Sequence, residues 1–197
     1  MENIKDILTK IERQKKIKIL YACETGSRAW GFASPDSDYD VRFIYMHERD
    51  WYLSLSERKD TIEYMEGDLD ITGWDLKKCL FLLKQYYSPT AVFFHHYSLA
   101  IKFWTDIKDA DEFKLKSWFY MTRSLLSCNW IVKDKSVLPM DIEGLMLYIS
   151  EGVRTELRKL IELKKTVGEK YLHRKDAGLN NWAENMLGSL EISKNNL

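Results

Sequence analysis

Two hydrophobic periods divide this chain. Up to about residue 75 most apolar runs alternate every second position, as half-buried strands do; beyond it they recur every third or fourth, as helices do. The exception in the first part is residues 2–15, where Ile4, Ile7, Leu8 and Ile11 fall on one helical face. Ile17 to Cys23 then reads as a strand. Ile17, Ile19, Tyr21 and Cys23 share one face, and Leu20 and Ala22 make the other apolar, so burial on both sides is expected. Gly26-Ser27 breaks it, a short helix can open at Ser27–Trp30, and Ser34-Pro35-Asp36-Ser37 is turn chemistry. Asp38 to Met46 is a second strand, and Asp60–Met65 with Asp68–Trp74 form a strand pair joined near Glu66-Gly67.

After Trp74, Leu76, Leu80, Leu83 and Tyr87 mark a helix, and Ser88-Pro89 is an N-cap with proline at the first helical position. Leu115, Trp118, Phe119, Thr122, Leu126 and Trp130 form one stripe; Leu145, Ile149, Val153, Leu157, Leu160 and Ile161 form another; Ala177 to Ile192 adds a last helix. The pattern predicts an α+β protein in two parts, a small mixed unit over residues 1–87 and a helical unit over 88–197.

Composition narrows the class. With 45% apolar residues, seven Trp and eleven Tyr, the chain can bury a core and is not a disordered segment. Basic and acidic residues both number 30, so no global attraction to nucleic acid is expected, although a local basic patch remains open. Cys23, Cys79 and Cys128 are odd in number and far apart, which speaks against a disulfide framework or a zinc site. No apolar run reaches the ~20 residues that span a bilayer, and the N-terminus lacks a signal-like apolar core. A soluble cytoplasmic protein with no membrane partner is expected.

The chemistry concentrates between residues 26 and 70. Asp38 and Asp40 are two apart at the start of a strand, so their carboxylates share a face. Held side by side they repel unless a cation lies between them, and hard oxygen ligands suit Mg²⁺ or Mn²⁺ rather than zinc. Asp70, between Leu69 and Ile71 on a later strand, is the best third acid, with Asp68 as the fallback. Ten residues before Asp38, Gly26-Ser27 supplies a tight turn that lets backbone approach a phosphate, with a hydroxyl to add a bond. Other uses of an Asp-x-Asp compete. An EF-hand loop beginning at Asp36 needs Gly and Glu where Val41 and His47 stand, and is rejected. A nucleotide-sugar glycosyltransferase also holds metal on Asp-x-Asp, but its larger sheet fits 197 residues poorly.

The run from Gly26 to Tyr45 (Gly-Ser-Arg-Ala-Trp-Gly-Phe-Ala-Ser-Pro-Asp-Ser-Asp-Tyr-Asp-Val-Arg-Phe-Ile-Tyr), with Leu69-Asp70-Ile71-Thr72-Gly73-Trp74, resembles the DNA polymerase β-type nucleotidyltransferase superfamily. Within it the chain resembles the branch of YcgL-like predicted nucleotidyltransferases associated with RNA repair. The likeness is strong over residues 20–85 and resumes through His95-His96-Tyr97 and Lys114 to Ile131. It implies a polymerase-β-like palm, a small mixed sheet with flanking helices, followed by a helical C-terminal domain. It implies Mg²⁺ on Asp38, Asp40 and Asp70, and NTP phosphates at Gly26 and Ser27. Between Tyr87 and His95 the chain is shorter than the family pattern, and Ser124 stands where the family tends to have proline.

The expected activity is transfer of a nucleoside monophosphate from an NTP, ATP first, to an acceptor hydroxyl with release of pyrophosphate. The acceptor is an RNA end, a small molecule or a protein hydroxyl. The alternative is a non-catalytic module of the same fold that binds nucleotide or a partner protein. Arg28 can reach a phosphate, pair with an aspartate or face solvent. Lys116 and Arg123, seven apart on one helix, can clamp a triphosphate or lie on a solvated face. His95-His96 lacks metal-ligand spacing and is read as packing or hydrogen bonding. Arg154, Arg158, Lys159, Lys164 and Lys165 interleave with glutamates and read as an ion-paired exposed helix face.

Overall fold

Asn3 opens the first helix by accepting a hydrogen bond from the Lys5 amide, and Lys16 ends it in a left-handed conformation with φ of 52°. In the computed structural model, which describes residues 3–56, 58–86, 88–134 and 136–194, the first part runs α1 (Ile4–Lys15), β1 (Ile17–Thr25), the single turn α2 (Gly26–Ala29), β2 (Tyr39–His47), the short α3 (Arg49–Tyr52), β3 (Thr61–Glu66), β4 (Leu69–Asp75) and α4 (Leu76–Tyr86). It continues through α5 (Pro89–Ile107), β5 (Glu112–Lys114), α6 (Leu115–Lys133), α7 (Ile142–Leu145), α8 (Glu151–Lys164), β6 (Leu172–Arg174) and α9 (Ala177–Ser193). Contacts divide the chain into two units: Met1–Gly26 with Asp38–Gln85, and Ser27–Ser37 with Tyr86–Leu197. The segment between β1 and β2 thus counts with the helical unit, not with the strands that flank it in sequence.

The first unit is a four-stranded mixed sheet in the order β1-β2-β4-β3. β2 and β4 run parallel, and the outer pairings are antiparallel. β3 and β4 are joined at Gly67, whose φ of 57° makes the tight turn. One sheet face is dry: Val41, Phe43, Tyr45, Leu69 and Ile71 pack with Ile7 and Ile11 of α1. Strand alternation sends Asp40, Arg42 and Ile44, with Asp70, Thr72 and Trp74, to the opposite face. β1 departs from the expected two-sided burial. It is an edge strand, and Leu20 and Tyr21 are 44% and 60% exposed. A register shift between Ile19 and Tyr21 flips the alternation, so Ala22 rather than Tyr21 pairs with Phe43. α4 forms as predicted, yet Leu80 and Leu83 are exposed; Tyr87, the last member of its expected stripe, lies outside the described residues.

The second unit is built on α5 and α6. Ser88 caps α5 by accepting from the Ala91 amide, with Pro89 at the first helical position. The predicted α6 stripe is buried throughout, from Leu115 to Trp130. The second predicted stripe is broken: α7 ends at Leu145, Met146–Tyr148 tighten into a 3-10 turn, and α8 begins only at Glu151 because Ile149 and Ser150 are extended. Trp30 and Phe32 anchor the Ser27–Ser37 segment. Phe32 is fully buried and stacks on Phe119 with ring centroids 5.0 Å apart, while Trp30 meets Tyr120 edge-on. The small two-stranded sheet of β5 and β6, which pairs Glu112–Lys114 with Leu172–Arg174 across the intervening helices, has no counterpart in the sequence pattern. No helix of the described residues is long and apolar enough to cross a membrane.

Candidate active site

Asp40 and Asp70 stand directly opposite each other on the parallel strands β2 and β4, and register and alternation put both carboxylates on the sheet face opposite α1. A third group joins them. Arg42, two residues after Asp40 and so on the same face, reaches both: Nη2 lies 3.3 Å from Asp40 Oδ1 and 2.9 Å from Asp70 Oδ2. Its Nη1 donates to the Val41 and Asp70 carbonyls at 3.0 and 3.2 Å. Thr72 Oγ1 donates to Asp70 Oδ1, and Thr25 Oγ1 to the Asp40 carbonyl, both at 3.4 Å. The side chains of Asp40, Asp70 and Arg42 are 25%, 33% and 37% exposed, so solvent reaches the cluster. Asp38 precedes β2 and is exposed. Asp68, the fallback acid, lies in the turn before β4, where its carbonyl accepts the Tyr39 amide.

Gly26 belongs to the same constellation. It adopts φ of +70°, and a methyl group there would sit 2.0 Å from Asp40 Oδ2. The Asp40 carboxylate therefore lies against the bare α-carbon of Gly26. Sequence suggested a glycine for a turn; the fold adds a second requirement, room for a carboxylate. Ser27 is buried, and its carbonyl accepts the Phe32 amide at 3.1 Å.

The loop that leads to Asp38 is held within the helical unit. Arg28 donates to the Ser37 carbonyl from Nε at 3.1 Å and from Nη2 at 2.6 Å. Ser37 Oγ donates to Glu169 at 2.6 Å, and the Asp36 carboxylate accepts the Glu169 amide at 2.9 Å. Lys164 donates to Ser34 Oγ at 2.7 Å and lies 3.6 Å from Glu169. Lys164 corrects the sequence expectation: its side chain is 1% exposed, whereas Lys159 and Lys165 pair with glutamates on the exposed face as expected, and Arg154 pairs with Glu151 while half-buried. Burial pulls the Lys164 ammonium below its ordinary range despite Glu169. Burial alone would raise Glu169, but hydrogen bonds from Lys116 and Ser37 and the Lys164 charge hold it below the usual carboxylate range.

Lys116 is part of this network, 2.6 Å from Glu169, and Arg123 lies over the Trp30 ring at 4.3 Å. Both, like Arg28, belong to the helical unit. His96 is largely buried in α5 with no partner for Nδ1 among the described residues; burial, then the charges of Arg123 and His95, lower its pKa to about 4. Sequence reasoning assigned no role to Arg42 or Glu169 and read Lys164 as solvated. The two-residue spacing from Asp40 could have placed Arg42 on the acid face. Nothing local marks Lys164 or Glu169.

The acid pair suits a divalent cation on chemical grounds. Two hard oxygen donors face each other and already hold a positive group between them. The full three-aspartate set is not gathered: no cluster of three His, Cys, Asp or Glu side chains with metal-binding geometry occurs among the described residues.

Comparison with known proteins agrees with these elements. An uncharacterized protein, YcgL of Bacillus subtilis (strain 168), is 37% identical over 198 residues, covering 83% of this chain and 76% of that protein. No solved structure matches. The model of the RNA repair pathway DNA polymerase beta family matches in two segments, residues 1–86 and 82–196, which meet in α4 near the shortening expected from sequence. A mixed sheet carrying the acid pair, followed by helices, and a family match along nearly the whole chain lead to one conclusion: the chain belongs to the RNA repair pathway DNA polymerase beta family.

Proposed function

We propose that this protein is a metal-dependent nucleotidyltransferase. It moves a nucleoside monophosphate from an NTP, with ATP the first candidate, to an acceptor hydroxyl and releases pyrophosphate. The observation that carries the reading is the register of Asp40 against Asp70, with Gly26 pressed on the Asp40 carboxylate. Asp38, Asp40 and Asp70 would hold Mg²⁺ or Mn²⁺, with Asp38 turning in to complete the set. The bound ion would neutralise charge on the triphosphate and ease ionisation of the acceptor hydroxyl. Asp70 accepts the proton as the acceptor oxygen bonds to the α-phosphorus and the bond to the pyrophosphate oxygen breaks. Amides of the Gly26-Ser27 turn and the Ser27 hydroxyl bind the β- and γ-phosphates; Arg28, Lys116 and Arg123 are proposed to add positive charge to the nucleotide site. The family's description favours an RNA end as acceptor over a small molecule or a protein hydroxyl.

The test is Mg²⁺-dependent turnover of labelled NTPs against RNA, small-molecule and protein acceptors. Asp38→Ala, Asp40→Asn and Asp70→Asn should each lower turnover by a factor of roughly 10² or more, as loss of transition-state charge stabilisation does. Wild-type rates in these variants would sink the assignment. The rival, a binding module of the same fold, draws on the incomplete gathering of the acids. It predicts nucleotide binding by calorimetry with no pyrophosphate released for any acceptor.

A further inference from the structure

We propose that Arg42 is a resident cation that holds Asp40 and Asp70 until metal and nucleotide arrive together, and that its guanidinium then turns to the triphosphate. The inference rests on the nucleotidyltransferase reading of the same site. One guanidinium nitrogen, Nη2, bridges an oxygen of each carboxylate at 3.3 and 2.9 Å. A divalent ion needs those same lone pairs. To admit the ion the guanidinium has to move aside. Movement is open to it, because the side chain is 37% exposed and lies on the sheet face opposite α1.

The arrangement has two consequences. Without Arg42 the two carboxylates would face each other across adjacent strands, and their repulsion would push the two side chains apart. With Arg42 in place, a metal ion arriving alone must break the bridge and leaves a guanidinium without its carboxylate partners. A metal ion arriving on a triphosphate brings a new anion for that guanidinium, whose planar fork matches phosphate oxygens. Arg42 thereby couples metal loading to nucleotide loading and disfavours a site filled by metal alone. Arg42 is then a substrate-contacting residue in the loaded state and a positioning residue before it.

The experiment uses the full chain and Mn²⁺ followed by electron paramagnetic resonance, first without nucleotide. Arg42→Gln should bind Mn²⁺ alone about three- to tenfold more tightly than wild type, the range set by partly exposed ion pairs. With Mn²⁺ saturating, the same variant should bind an ATP analogue carrying a methylene bridge between the α- and β-phosphates about tenfold more weakly, as loss of a charge-assisted hydrogen bond implies. Arg42→Lys, which keeps the charge but not the fork, should fall between. It decides the question if Arg42→Gln does not fold by circular dichroism. Equal or weaker Mn²⁺ affinity in the variant overturns the role of Arg42. Failure of the underlying reading has a different signature: Asp40→Asn and Asp70→Asn would then bind Mn²⁺ as wild type does, or no protein in the set would bind it at all.

Discussion

Replacing Gly26 by alanine tests whether the glycine serves Asp40 and not merely the turn. The backbone sits at φ of +70°, which costs an alanine roughly 1–2 kcal/mol. The added methyl would lie 2.0 Å from Asp40 Oδ2 and 2.8 Å from its Cγ, so the carboxylate must retreat by more than an ångström to reach ordinary contact. Forcing a group into a filled position adds about 1–3 kcal/mol. Gly67 is the control: it also has positive φ, at +57°, but nothing lies within 4 Å of a methyl there. Gly67→Ala should therefore show the backbone cost alone. The excess for Gly26→Ala should be about 1–3 kcal/mol by urea denaturation, or some 3–10 °C in Tm for a chain of this size. In an Asp40→Ala background most of that excess should vanish, since the carboxylate that the methyl meets is gone. Turnover of Gly26→Ala should drop about 10²-fold, as a displacement of that size in a catalytic group does. Equal costs at Gly26 and Gly67, with turnover intact, would refute the argument.

Two further outcomes concern the helical unit. Lys164→Met keeps the stem volume but removes the donor to Ser34 and the charge near Glu169. It should cost about 1–3 kcal/mol in denaturant unfolding. Adding Glu169→Gln should recover part of that loss, and strict additivity of the two would argue against the buried network. His96 has a folded pKa of about 4 against 6.5 in the unfolded chain. The unfolded chain therefore binds the proton first, and the stability that neutral His96 contributes is present above pH 6.5 and lost as pH falls toward 4. The loss is on the order of 2–3 kcal/mol. Unfolding curves at pH 7.5, 5.5 and 4.5 should be flatter for His96→Gln than for wild type, and parallel pH profiles would contradict the assignment.

Much of the candidate site is legible in the residues, because its signals are local. Gly-Ser is turn chemistry wherever it stands. The two-residue spacing of Asp38 and Asp40 predicts a shared strand face, but β2 begins only at Tyr39 and leaves Asp38 outside it, whereas the apolar neighbours of Asp40 and Asp70 do set their orientation. The same two-residue rule covers Arg42, yet sequence does not tell whether an arginine on an acid face bridges carboxylates or reaches into solvent. Lys164 shows the opposite failure. Among alternating lysines and glutamates it reads as solvated, and its 1% exposure arises because the Ser34–Ser37 loop lies over that one turn of α8. The edge position of β1 was likewise hidden, since an apolar strand looks the same with one face covered or two.

What the sequence determined by itself is the main strands and helices, the α+β class and the placing of Asp40 and Asp70 on strands. Each follows from periodicity, caps and turns within a few residues. The tertiary structure decided which of those groups meet. It set Asp40 against Asp70 from strands 30 residues apart, and Lys164 against Ser34 across 130. It also assigned the Ser27–Ser37 segment to the helical unit rather than to the sheet. Such pairings depend on strand register and on which surface a loop buries. Those are set by the packing of the whole core, and no local stretch of chain encodes them.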